Sequence, residues 1–141
     1  MYHRVVIAGY LGRDPEMRYT PDGTPVTNFS VATTEKWTGK DSQQQERTIW
    51  WRVTAWRRQA EICNQYLSKG RPVLVEGRIR PDENGNPRVF TRNDGTPGAS
   101  YEVTADVVKF LGGREGASEF GAPRDQDVPP EAEMGEEDIP F

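Results

Sequence analysis

The chain predicts an all-β barrel of five strands carrying one helix, and three observations lead there. Runs rich in Val, Ile, Thr and Trp recur at five places. One stretch alone has helical periodicity, and it falls between the third and fourth of those runs. Fourteen Gly and eleven Pro in 141 residues supply the turns that so many short strands require. A chain of this length, 34% hydrophobic, supports one modest domain with a core.

The first run, His3 to Gly12, is β-branched and apolar, and it ends in the turn chemistry of Asp14-Pro15. A second turn at Pro21-Asp-Gly23 leads into Val26 to Glu35, where Val26, Asn28 and Ser30 alternate with Phe29 and Val31 as in a half-buried strand. Residues 38–46 read as a polar loop without an apolar anchor, and Thr48 to Trp56 as the third strand. The helix is expected over Gln59 to Lys69, because Ala60, Cys63 and Leu67 share one spacing and Ile62 and Tyr66 another, with Gly70 as the terminating residue. Pro72 to Ile79 is the fourth strand and Tyr101 to Leu111 the fifth. Between them, turn signals at Asp82 to Asn86 and Asn93 to Gly98 bracket Arg88 to Arg92, which suggests a hairpin arm.

Five strands with a helix after the third is the order of an OB-fold, a small, partly open barrel, although other five-stranded barrels exist. The expected domain is 1–111. From Gly112 the chain turns to Gly, Pro, Glu and Asp and is too polar to fold alone, so 112–141 is expected to be a disordered acidic tail. The net charge of −4 hides this division. Residues 112–141 hold nine acids against two arginines, a net of −7, and residues 1–111 hold 16 bases against 13 acids, a net of +3. The tail's last residues, Asp138-Ile-Pro-Phe141, put its only aliphatic and aromatic side chains after Met134 at the tip. The plain reading is a solvated acidic tail. The sharper one is a docking tip, with the Phe141 ring in an apolar pocket, its carboxylate on a basic rim, Asp138 adding attraction and Pro140 limiting the entropy lost.

No apolar run is long enough to span a membrane, and no charged-then-apolar leader precedes the fold. A lone cysteine fits a reducing cytosol, and one His with one Cys puts a zinc site out of reach. A soluble cytoplasmic protein without metal or cofactor is expected. The enzymatic readings fail on inventory. His3 stands near the N-terminus, Cys63 lies on the apolar helix face, and Gly9-Tyr-Leu-Gly12 lacks the Lys-Ser/Thr of a phosphate loop.

The third strand is the most informative part of the body. Side chains alternate, so Trp50, Arg52, Thr54 and Trp56 share one face and Ile49, Trp51, Val53 and Ala55 the other. The second set is a core or subunit-interface stripe. The first is not a core face, because Arg52 stands between the two tryptophans. Two indoles flanking a guanidinium make a platform on which nucleobases stack, whatever their sequence. Packing alone is the other reading of these tryptophans, and the adjoining Arg57-Arg58 weigh against it. Trp37 beside Lys36, Lys40 and Arg47 repeats the pairing of aromatic and base, as does Phe90 within Arg88-Val-Phe-Thr-Arg92, while Arg78 and Arg80 extend the path for phosphates.

These residues fall in runs that resemble the bacterial single-stranded DNA-binding protein family, SSB, from His3 to Phe141. The matching runs are Arg4 to Glu16 with Arg18-Tyr19, Ser30 to Trp37, Thr48 to Val53, Tyr66 to Gly70, Val75 to Arg78 and Asp138 to Phe141, in the family's order. The resemblance implies stacking aromatics at Trp37, Trp50 and Trp56, with Phe90 as a fourth on the hairpin arm. It implies a homotetramer of OB-folds that wraps single-stranded DNA without sequence preference, close to the nucleoid. It also implies a tip that recruits replication, recombination and repair proteins. Two departures stand out: Pro81 to Ser100 is long and rich in Gly and Pro, and Trp51 replaces a residue often smaller or polar. An adaptor whose barrel binds protein rather than DNA is the competing class; a small hydrolase is a distant third.

Overall fold

The computed structural model describes residues 1–112; the expected acidic tail beyond Gly112, with the tip residues Asp138, Ile139, Pro140 and Phe141, lies outside the described residues. Nine elements follow in order: β1 Val5–Leu11, β2 Glu16–Tyr19, β3 Pro25–Thr38, β4 Gln44–Trp56, α1 Arg58–Tyr66, β5 Pro72–Ile79, β6 Val89–Thr91, β7 Pro97–Ala99 and β8 Tyr101–Phe110.

Six of the strands form one sheet in the order β1-β5-β8-β4-β3-β2, and β1 also pairs with β3, so β1, β3, β4, β5 and β8 close on themselves as a five-stranded barrel. The closure is short, Tyr10 opposite Ala32 and Leu11 opposite Val31. Neighbouring pairs are antiparallel except β4 with β8, which run parallel from Trp51–Tyr101 to Thr54–Thr104. This is the OB-fold order that the sequence predicts, with α1 between the third and fourth barrel strands.

The core follows from the period of two. Ile7 and Leu11 of β1, Phe29 and Val31 of β3, Val53 and Ala55 of β4, Val73 and Val75 of β5, and Val103 and Ala105 of β8 point inward and are buried. The helix closes one end by adding Ala60 and Cys63, and Leu67 just beyond it. Thr27 fastens the helix to β3, donating its hydroxyl to the Ala60 carbonyl at 2.7 Å in the buried interior. Gly9 answers for the Gly9–Gly12 motif: a Cβ there would run into the Ala32 carbonyl, so the residue lets β1 meet β3 where the barrel closes.

The structure differs from expectation in four places. The polar segment 38–46 is strand at both ends, since β3 runs to Thr38, β4 starts at Gln44, and the turn is confined to residues 39–43. A two-stranded ribbon satisfies its backbone hydrogen bonds across the pair, and polar side chains do not prevent this. The helix stops at Tyr66, because Leu67 is extended (φ −89°, ψ 148°) although its side chain still packs inward. β2 is an additional edge strand laid on β3. Val26 to Ala32 is buried on both faces rather than half-buried, and the outward Asn28 and Thr54 are joined by a 2.9 Å hydrogen bond from the Thr54 hydroxyl.

Candidate nucleic-acid interface

The alternation of β4 places Trp50, Arg52, Thr54 and Trp56 on the outer face of the barrel, opposite Ala32, Ser30, Asn28 and Val26 of β3. Trp56 is exposed at 40%, whereas Trp50 and Arg52 are half-buried. Trp50 and Arg52 line a groove of about 420 Å³ that also touches Trp51, Ser100 and Tyr101, where β8 enters the sheet. On the inner face, Trp51 packs on the core, donates its indole N–H to the Thr33 hydroxyl at 2.9 Å and tilts against Tyr101 with centroids 5.3 Å apart.

A row of polar groups crosses the sheet on the outer face. Ser30 stands opposite Arg52, Arg52 opposite Glu102, and the Arg80 amide donates to the Glu102 carbonyl. The Glu102 carboxylate lies 3.6 Å from Arg52, 4.0 Å from Arg80 and 3.5 Å from Arg88, and its side chain is only 9% exposed. Burial holds the Arg52 guanidinium below the ordinary arginine pKa; Glu102 opposes that, while Arg80, Arg18 and Arg88 add to it. Arg78, further along β5, pairs with Asp106 at 3.4 Å, a carboxylate it shares with Arg4.

The remaining candidates lie apart from this row. Lys36 has the outer parity on the β3–β4 hairpin, but Trp37 has the opposite one, is 45% exposed, and carries the Arg47 guanidinium 5.4 Å from its ring centroid. Arg47 is itself paired to Glu35 at 2.7 Å. Phe90 stands on the separate β6–β7 hairpin, half-buried over Gly98, with Arg92 5.9 Å from its ring centroid. Each aromatic thus has its arginine, as the sequence suggests, but the pleat of β3 and β4 does not put Trp37 on the face of Trp50 and Trp56. Arg57 is exposed and joins β4 to α1 with φ 59° and ψ −133°, a region that favours glycine. Glu102 is the member that sequence reasoning missed. Nothing in a sequence reveals the parallel register that sets it against Arg52.

His3 is exposed and Cys63 fully buried, its thiol pushed up to about 12 by burial. No helix among the described residues is long and apolar enough to cross a membrane.

Comparison with known proteins agrees with this geometry. The sequence model of the single-strand binding protein family matches residues 2–111. The single-stranded DNA-binding protein of Neisseria meningitidis serogroup A is 44% identical over 124 residues, which cover 88% of this chain and 67% of that protein. The protein of the same name from Xylella fastidiosa is 34% identical over 165 aligned positions, covering 99% of this chain and 97% of its own length. Among solved structures, the Plasmodium falciparum SSB in complex with ssDNA superposes with a TM-score of 0.64 at 24% identity, over 79% of this chain and 97% of that one, a likeness of fold. With the barrel, the strand order and the matching sequence in hand, the chain belongs to the single-strand binding protein family.

Proposed function

We propose that this protein binds single-stranded DNA without sequence preference, stacking bases on Trp50 and Trp56 and holding phosphates with Arg52, Arg57, Arg78, Arg80 and Lys36. The observation that carries this reading is the outer stripe of β4, where a half-buried and an exposed indole flank an arginine on a face that also carries Arg78 and Arg80. Every base has a π-face, so stacking is tolerant of sequence, and the arginines supply the salt-dependent part of the affinity. Trp37 and Phe90, each paired with an arginine on a hairpin, extend the path beyond the barrel. It is a binding protein rather than an enzyme.

The finer parts of the reading rest on the family. The protein acts as a homotetramer in the cytoplasm, near the nucleoid, and serves DNA replication, recombination and repair. Its tail, 112–141, keeps an acidic tip at Asp138, Ile139, Pro140 and Phe141 that recruits partner proteins. Adding an oligothymidylate should quench the tryptophan fluorescence strongly at low salt and progressively less as salt rises. Unchanged fluorescence at low salt would remove the proposal in favour of a protein-binding adaptor.

A further inference from the structure

Glu102 is held by more positive charge than it needs. One arginine suffices to pair a buried carboxylate, and here three guanidiniums converge on one. Crowding like charges costs free energy unless another anion shares the site. The contacts of Arg80 and Arg88, at 4.0 and 3.5 Å, are ion pairs longer than charge-assisted hydrogen bonds, and the Arg88 Nε–H has no hydrogen-bond acceptor. Both side chains remain partly exposed, Arg80 at 40% and Arg88 at 38%, although the Arg88 Nε itself is buried. The Ser100 hydroxyl donates to the other carboxylate oxygen at 3.0 Å, which fixes the orientation of Glu102.

We infer that Arg52, Arg80 and Arg88 form one anion site that takes a backbone phosphodiester of the bound strand, and that Glu102 is its positioning residue. The inference rests on the proposed function and adds two members to it. Arg88, at the entry to the hairpin arm, becomes a phosphate contact, and Glu102, an acid on a DNA-binding face, becomes necessary to it. The site lies beside Trp50 along the groove, since Arg52 lines both. A phosphate held there would leave its base at the indole. Glu102 gathers three arginines from three segments, β4, the residue after β5, and the chain just before β6. Without it they would repel one another and spread.

Titration of the full chain with an oligothymidylate at several salt concentrations tests this. Arg88→Ala should reduce the slope of log K against log salt by about 0.7 per bound protomer, the value for one lost phosphate contact on a single strand. Arg88→Lys keeps the charge and should keep the slope. Glu102→Gln makes the face more positive, so attraction by net charge alone demands tighter binding. A positioning carboxylate demands binding several-fold weaker, recovered in part by Glu102→Asp. An unchanged slope in Arg88→Ala, or tighter binding by a folded Glu102→Gln, overturns the inference. If Glu102→Gln does not fold, the two Arg88 variants decide alone. Wild-type protein that fails to bind at all defeats the proposed function itself. Wild-type binding with an unaltered Arg88→Ala defeats only this inference.

Discussion

Arg52 and Glu102 face each other across the parallel pairing of β4 and β8, guanidinium and carboxylate 3.6 Å apart. The pair sits between Trp50 and Trp56 along one strand and between Ser30 and Arg80 across the sheet, so one contact links the tryptophan stripe to the basic row. It also explains how a charged side chain is tolerated half-buried on a barrel wall, because a buried charge requires a partner.

The barrel closure gives the first prediction. β1 and β3 meet over only two residue pairs, and Gly9 lies against the Ala32 carbonyl at that seam. Gly9→Ala should destabilise the protein by about 1–3 kcal/mol, through forced separation of backbone rather than loss of a contact. Thermal unfolding followed by circular dichroism measures it. An unchanged midpoint would mean that the seam is not tight.

Arg57 carries a cost in the fold that glycine would remove. A non-glycine residue in such a region costs on the order of 1–3 kcal/mol, partly offset because glycine loses more backbone entropy on folding. Arg57→Gly should therefore raise stability by about 1 kcal/mol while weakening DNA binding and its dependence on salt. A variant that is more stable and binds DNA equally well would remove Arg57 from the interface.

Cys63 should be inert. Its burial beneath α1 disfavours the thiolate, and with the pKa pushed up to about 12 the folded protein stays in the thiol form through the ordinary pH range. A thiol reagent at pH 8 should label it only after denaturation. Rapid labelling of native protein would place Cys63 nearer the surface than its packing against the core allows.

Much of this fold was legible in the sequence. β-branched and apolar runs announced all five barrel strands, and the alternation of Trp50, Arg52, Thr54 and Trp56 announced which side chains share a face. What escaped depends on register and on backbone hydrogen bonding. β2 is four residues long and pairs only at one edge, so it leaves no apolar pattern. The polar ends of β3 and β4 pair through main chain and exposed polar side chains such as Arg47 and Glu35, which leave no apolar alternation. Leu67 keeps helical spacing after the helix has ended, since its burial needs a contact and not a helix. The Glu102 cluster joins residues up to 50 apart through a parallel pairing that no local spacing encodes.

The tail offers a prediction from charge. Residues 112–141 carry nine acids and two arginines, opposite in sign to the body. Removing 113–141 should raise DNA affinity slightly at low salt, and the gain should vanish as salt screens it. Partner capture should be lost on deletion of Phe141 alone, with DNA affinity unchanged. A fall in DNA affinity on tail removal would make the tail part of the binding surface.

The most direct test of the central claim is the affinity of Trp50→Ala/Trp56→Ala for oligothymidylate, measured at several salt concentrations beside the wild type. If bases stack on the outer stripe of β4, the double variant loses about 1–3 kcal/mol per stacked base, while its salt slope stays that of the wild type because the arginines remain. Undiminished affinity in a folded double variant would contradict the account, because the strand would then bind somewhere other than on this face.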